Sequence, residues 1–321
     1  MTASPPAFTI GANLPWLRYG GDFGANAWYP EGGLSRRTDL DDIRAHLSRL
    51  ASRGVTAVRW FMLCDGRAGV RFASDGAPLG PDAALFADVD AAEALAEQAG
   101  VKLIFVLLDF HWCAPRRIVR GVSLGGHRAI LARPALRSAL IERVIAPVLQ
   151  RYGRSPVIHA WDLINEPEWV TRGAALWNPF RGVSWGAMRA YIAAAADCVR
   201  SLTVHQATVG SAAARWLPLV RGTGLDFYQP HWYDHLERRS PLERPVAQLG
   251  LDRPAWLGEF PTRGSAHNPR RLVDAARGAG YQGALFWSVF ANDAATLAAG
   301  MEHPDLDFAS DSDPADRRHD A

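Results

Sequence analysis

The sequence predicts a single-domain α/β fold, a closed (β/α)8 barrel of the TIM type spanning residues 1–307. Short apolar segments alternate with helical ones eight times between Phe8 and Gly300, and such runs read as strands buried on both faces. An open doubly wound sheet would need a glycine-rich turn straight after the first strand. Here Gly20-Gly21-Asp22-Phe23-Gly24 lies well past it and runs into more loop. No linker and no repeat beyond the strand–helix period marks a second domain.

Phe8–Asn13 is the first expected strand, followed by a long loop from Leu14 to Arg37 that carries Trp16, Tyr19, Phe23, Trp28 and Tyr29. Thr38 to Arg53 has helical periodicity through Leu40, Ile43, Leu47 and Leu50, with Thr38 or Asp39 as cap and Gly54 as stop. Val55–Met62 is the second strand, Pro81–Ala99 a helix, and Val101–Asp109 the third strand. His111 to Arg133 reads as a loop and Pro134–Arg151 as a helix. The fourth strand is Val157–Ile164, stopped at Pro167, which has no N–H for a ladder. Its loop carries Trp169, Trp177 and Phe180, and Ser184–Leu202 is the helix behind it. Gln206–Gly210 and Leu225–Pro230 are strands five and six, with a short helix, Ala212–Val220, between them and another near Val246–Gly250. Ala255–Glu259 and Gly283–Val289 are strands seven and eight, separated by a helix over Pro269–Ala279 and followed by a final helix, Ala294–Gly300. The segment 308–321, acidic then basic, reads as a disordered tail.

In such a barrel every strand opens its C-terminal end on one face. The polar residues there are Arg59 from strand two, Asp109 and His111 from strand three, Asn165 and Glu166 from strand four, His231 and Tyr233 from strand six, and Glu259 from strand seven, with Trp287 on strand eight. Each alone has a structural explanation, as an ion pair, a satisfied polar group or a core aromatic. Their convergence on one rim calls for a common one. Two carboxyl groups facing each other across a barrel suit glycosidic bond cleavage: one stays protonated to serve the leaving oxygen, the other ionised to attack the anomeric carbon. Arg59 and Tyr233 are suited to keep Glu259 ionised, Asn165 to bond a sugar 2-hydroxyl, and Trp287 to floor the sugar.

Composition limits the alternatives. Net charge is +2, from 35 basic and 33 acidic residues, which leaves no field for nucleic acid. No run of eighteen apolar residues is long enough to span a membrane. Met1 to Phe8 lacks the regions of a leader, so a cytoplasmic location is expected. Three cysteines, Cys64, Cys113 and Cys198, make no disulfide framework. Strands one and five end in Asn13 and in Gly210-Ser211, not in metal ligands, so no metal or cofactor is expected. Twelve tryptophans suit sugar stacking as well as packing, and the expected partner is a carbohydrate.

The chain resembles glycoside hydrolase family 5, among the cellulase- and mannanase-like retaining (β/α)8 glycosidases of clan A. The resemblance runs from Phe8 to about Gly300 and rests on an Arg ending strand two (Arg59), a His after strand three (His111), and Asn165-Glu166-Pro167. It continues through a His-x-Tyr after strand six (His231, Tyr233), a Glu ending strand seven (Glu259) and a Trp ending strand eight (Trp287). It implies a hydrolase of β-mannan or β-glucan in which Glu166 is acid/base and Glu259 the nucleophile. The loop Val122 to His127 matches no recognised subfamily pattern and leaves the sugar open. A barrel that keeps its aromatic rim but only binds carbohydrate is the alternative from another functional class.

Overall fold

A computed structural model describes residues 8–174, 182–234, 236–237 and 241–289. Its strands are β1 (Thr9–Asn13), β2 (Ala57–Phe61), β3 (Lys102–Val106), β4 (Ile158–Asp162), β5 (Gln206–Thr208), β6 (Gln229–Pro230), β7 (Leu257–Pro261) and β8 (Gly283–Trp287). Seven of them form a parallel sheet in the order β7-β8-β1-β2-β3-β4-β5. The short β6 closes the ring. It pairs with Gly210–Ser211 just beyond β5, and the residues on either side of it, Tyr228 and His231, bridge to Ala255 and Glu259. The fold is thus the closed α/β barrel that the strand count predicts.

Closure at β5 and β6 is shorter than the sequence suggests, because side chains replace part of the ladder. The Thr208 hydroxyl donates to the Phe227 carbonyl at 3.0 Å, and the Ala207 N–H donates to the Asp226 carboxylate at 2.8 Å. Inside the barrel, Ala57, Ile104, Ala160, Phe227, Trp256 and Leu285 form one buried cluster. Outside it, helices such as Leu40–Ser52 and Trp185–Leu202 bury Leu47, Leu50, Ile192 and Val199 in the larger core. Ser184 caps the second of these by accepting from the Ala187 N–H, and Asn268 caps Pro269–Ala279 by accepting from Arg270.

Three segments differ from expectation. The helix expected from Pro81 starts at Leu85, because Pro78–Pro81 pairs with Val70–Phe72 in a hairpin. The segment 111–133 is not all loop. It holds a hairpin, Arg117–Val119 with Val122–Leu124, and a helix, Arg128–Ala132. Arg120 and Gly121 turn that hairpin with φ of 45° and 81°, the positive pair that tight hairpins require. The expected helix Pro134–Arg151 is Pro134–Leu140 and Ala146–Tyr152 joined by a π turn, Ile141–Ile145. Pro147 has no N–H and its ring would strike the carbonyl of Arg143, so the wider turn accommodates it. The final helix, the tail, Trp177 and Phe180 lie outside the described residues.

Candidate active site

The mouth of the barrel is built around a fully buried arginine. Arg59, on β2, donates through Nε and Nη2 to Asp162 Oδ2 (2.9 and 2.7 Å) at the end of β4. Its Nη1 donates to Glu259 Oε1 (2.8 Å) on β7 and to Asn13 Oδ1 (3.0 Å) on β1, and its Nη2 also reaches Asn165 Oδ1 (2.8 Å). One guanidinium therefore fixes the ends of four strands, with its charge offset by two carboxylates. Beside it Gly210 has no room for a side chain: a Cβ there would lie 2.4 Å from Arg59 Nη2, 2.9 Å from His231 Nε2 and 3.1 Å from Asp162 Oδ2.

Glu259 is 4% exposed, and its second oxygen accepts from the Tyr233 hydroxyl at 2.8 Å. Glu166, 15% exposed at its side chain, faces it. Its Oε2 accepts from the Trp169 indole N–H at 2.8 Å, and its Oε1 lies 2.9 Å from His231 Nδ1. That same nitrogen is 3.4 Å from Glu259 Oε2. Burial pulls His231 down to about 4, against the pull of Glu259, so its ring is neutral near pH 7. Two carboxylate oxygens around Nδ1 place the ring proton there.

Burial raises Glu166 to about 7, and the negative Asp109 adds to the rise, while Trp169 and Arg59 oppose it. Removal from water, rather than the negative Glu259 opposite, dominates the rise. Burial also pushes Glu259 upward; His231 and Arg59 pull it back. Glu166, His231 and Glu259 each present a ligand-type atom, all within 4.8 Å of one another. The spacing could bridge a cation, but the Arg59 guanidinium 2.8 Å from Glu259 repels added positive charge. With one oxygen of each carboxyl within 4.8 Å of the other, the gap falls on the short side, that of pairs working by double displacement at ~5–5.5 Å, and not of the ~6.5–9.5 Å that admits a water between them.

All nine residues singled out at the rim gather here, some in altered settings. His111 is half exposed and held by Asp109, its Nδ1 2.8 Å from Oδ2. Asn165 donates to Asp109 Oδ1 (3.1 Å) while accepting from Arg59, so its amide is fixed from both ends. Asp109 also accepts from the Tyr19 hydroxyl (2.5 Å), which ties the first loop to the rim. Trp287 is partly buried and packs edge-on against Trp16 and Phe61, with centroids 5.9 and 6.3 Å away. Sequence reasoning missed Asp162, Asn13 and the bond from Trp169. The signal for Asp162 was a charged residue inside an apolar strand, which has to find a partner.

No family model matches the chain. A mannan endo-1,4-β-mannosidase of Mytilus edulis is 24% identical, over 88% of this chain and 83% of its own length. One of Cryptopygus antarcticus is 23% identical, over 87% and 80%. The crystal structure of an endo-1,4-β-mannanase from Eisenia fetida matches with a TM-score of 0.72 at 23% identity, covering 94% of this chain and 90% of that one. Likeness along most of the sequence and a shared closed barrel make this chain similar to these mannanases, and its own barrel mouth sets a glutamate after β4 opposite another on β7.

Proposed function

We propose that the chain hydrolyses β-1,4-linked mannan by double displacement, with Glu259 as nucleophile and Glu166 as acid/base. The observation that carries this reading is the short gap between two carboxyl groups whose partners differ, a guanidinium on one and neutral N–H donors on the other. Glu259 attacks the anomeric carbon as the glycosidic bond breaks, and the proton of Glu166 passes to the departing oxygen. The resulting glycosyl ester is then cleaved by water, whose proton returns to Glu166 as Glu259 leaves the sugar. The choice of mannan follows the two curated relatives, both named as mannan-degrading enzymes.

A panel of β-mannans and β-glucans, followed by proton NMR of the first products, tests the proposal. The expected result is cleavage of mannan with the β-anomer released first. First release of the α-anomer overturns double displacement. Binding of oligosaccharides with no cleavage of any substrate favours a carbohydrate-binding barrel instead.

A further inference from the structure

We infer that Trp169 is a positioning residue for the acid/base step, fixing the pose of Glu166 and setting how tightly it holds its proton. The inference rests on the role just proposed for Glu166. Glu166 ends β4 with φ of 44° and ψ of 52°, a left-handed conformation that a side chain adopts only under constraint. Its N–H is fixed by the Gly210 carbonyl at 2.7 Å. The 3₁₀ turn Pro167–Val170 follows at once and brings the Trp169 indole back onto Glu166 Oε2 at 2.8 Å.

That turn is anchored from below. Glu168 is fully buried and accepts the Ala212 N–H on Oε2 at 3.0 Å, and the Thr171 hydroxyl donates to the Pro167 carbonyl at 2.7 Å. The turn that carries Trp169 is thus anchored independently of the carboxylate its indole touches. An indole N–H only donates and does not titrate in the working range, so its bond favours the ionised form of Glu166. Of the influences that lower the proton affinity of Glu166, this bond is the largest. The other charged or titratable groups around Glu166 are Arg59 on β2, Asp109 and His111 beyond β3, His231 and Tyr233 beyond β6, Glu259 on β7, and Glu168 on its own turn.

Trp169→Phe keeps the ring and removes the donor. With aryl β-manno-oligosaccharides bearing a poor leaving group, the basic limb of the kcat/KM profile is expected to move up by about one pH unit, the shift that one hydrogen bond to a carboxylate can hold. A 2,4-dinitrophenyl substrate, which departs without a proton, should keep its wild-type kcat/KM. An unmoved limb, or equal losses on both substrates, overturns the inference in favour of a packing role. Should the phenylalanine variant not fold, 3-benzothienylalanine at position 169 keeps the indole shape without its N–H, and an unmoved limb there is equally fatal. If the wild type cleaves neither substrate, the functional reading fails. Carboxyl-carbon NMR titration of Glu166, with and without the substitution, then still decides the inference: an upward shift supports it and no shift overturns it.

Discussion

Glu166 and Glu259 face each other from β4 and β7, yet the two strands hold them differently. Glu259 sits within its strand, nearly enclosed, with a guanidinium on one oxygen and a phenol on the other. Glu166 lies just past its strand in a left-handed conformation, partly open to solvent, with an indole and a neutral imidazole as partners. A permanent cation fixes a negative charge in place. Neutral donors leave the proton free to come and go near pH 7, as a group that must act as acid and then as base requires. Burial raises both carboxyls, so what separates them is the charge of the nearest donor rather than depth.

The contrast breaks if the two glutamates prove interchangeable. Glu259→Gln should lower turnover on mannan by a factor on the order of 10⁶, as loss of a nucleophile does elsewhere, with little change in thermal midpoint. Retained turnover would end its assignment. Glu166→Gln should cost roughly 10²–10⁴-fold on unactivated substrates. It should also abolish the fall in wild-type kcat/KM as pH rises through about 7, where Glu166 loses its proton. A profile that keeps its basic limb in this variant would assign the limb to another group.

Arg59→Met sharpens the comparison from the side of stability. It leaves Asp162 and Glu259 buried without their cation, and should lower unfolding free energy by about 3–5 kcal/mol in denaturant titrations. An unchanged midpoint would show that the guanidinium is not what holds those charges. The smallest effect concerns Glu168. Burial raises it to about 8, above its unfolded value. The folded state therefore holds its proton more tightly, and the stability this gives is present in acid and lost as pH rises through about 8. Glu166, raised to about 7, acts in the same sense. His127 and His231, both lowered to about 4 by burial, act in the opposite sense, but only below about 6.5, where unfolded histidine titrates. Thermal midpoints should thus decline from about pH 6.5 to 8, and Glu168→Gln should flatten that decline. An equally steep decline in the variant would place the responsible proton elsewhere.

The strands were legible because both of their faces are buried, which writes them as unbroken apolar runs such as Leu103 to Leu108. The nine rim residues were legible because a polar group at the end of such a run has few other reasons to be there. Asp162 and Asn13 were not, since a polar residue within or closing a strand looks like part of it until its partner across the barrel is seen. The bond from Trp169 was not legible either, because sequence cannot say which edge of an indole meets a carboxylate. The hairpin over Val70–Phe72 and Pro78–Pro81 is too short to show a period. The π turn did leave a sign, Pro147 inside a helical pattern.

At the end of β5 the barrel wall reaches the mouth as bare backbone. Gly210 offers its carbonyl to Glu166 and its N–H to Asp162 Oδ1 at 3.1 Å, and the space beyond its Cα is already filled by Arg59, His231 and Asp162. Even alanine there would prise the guanidinium off its carboxylate. Efforts to retune which sugars this enzyme accepts must therefore work through the other strand ends and leave position 210 untouched.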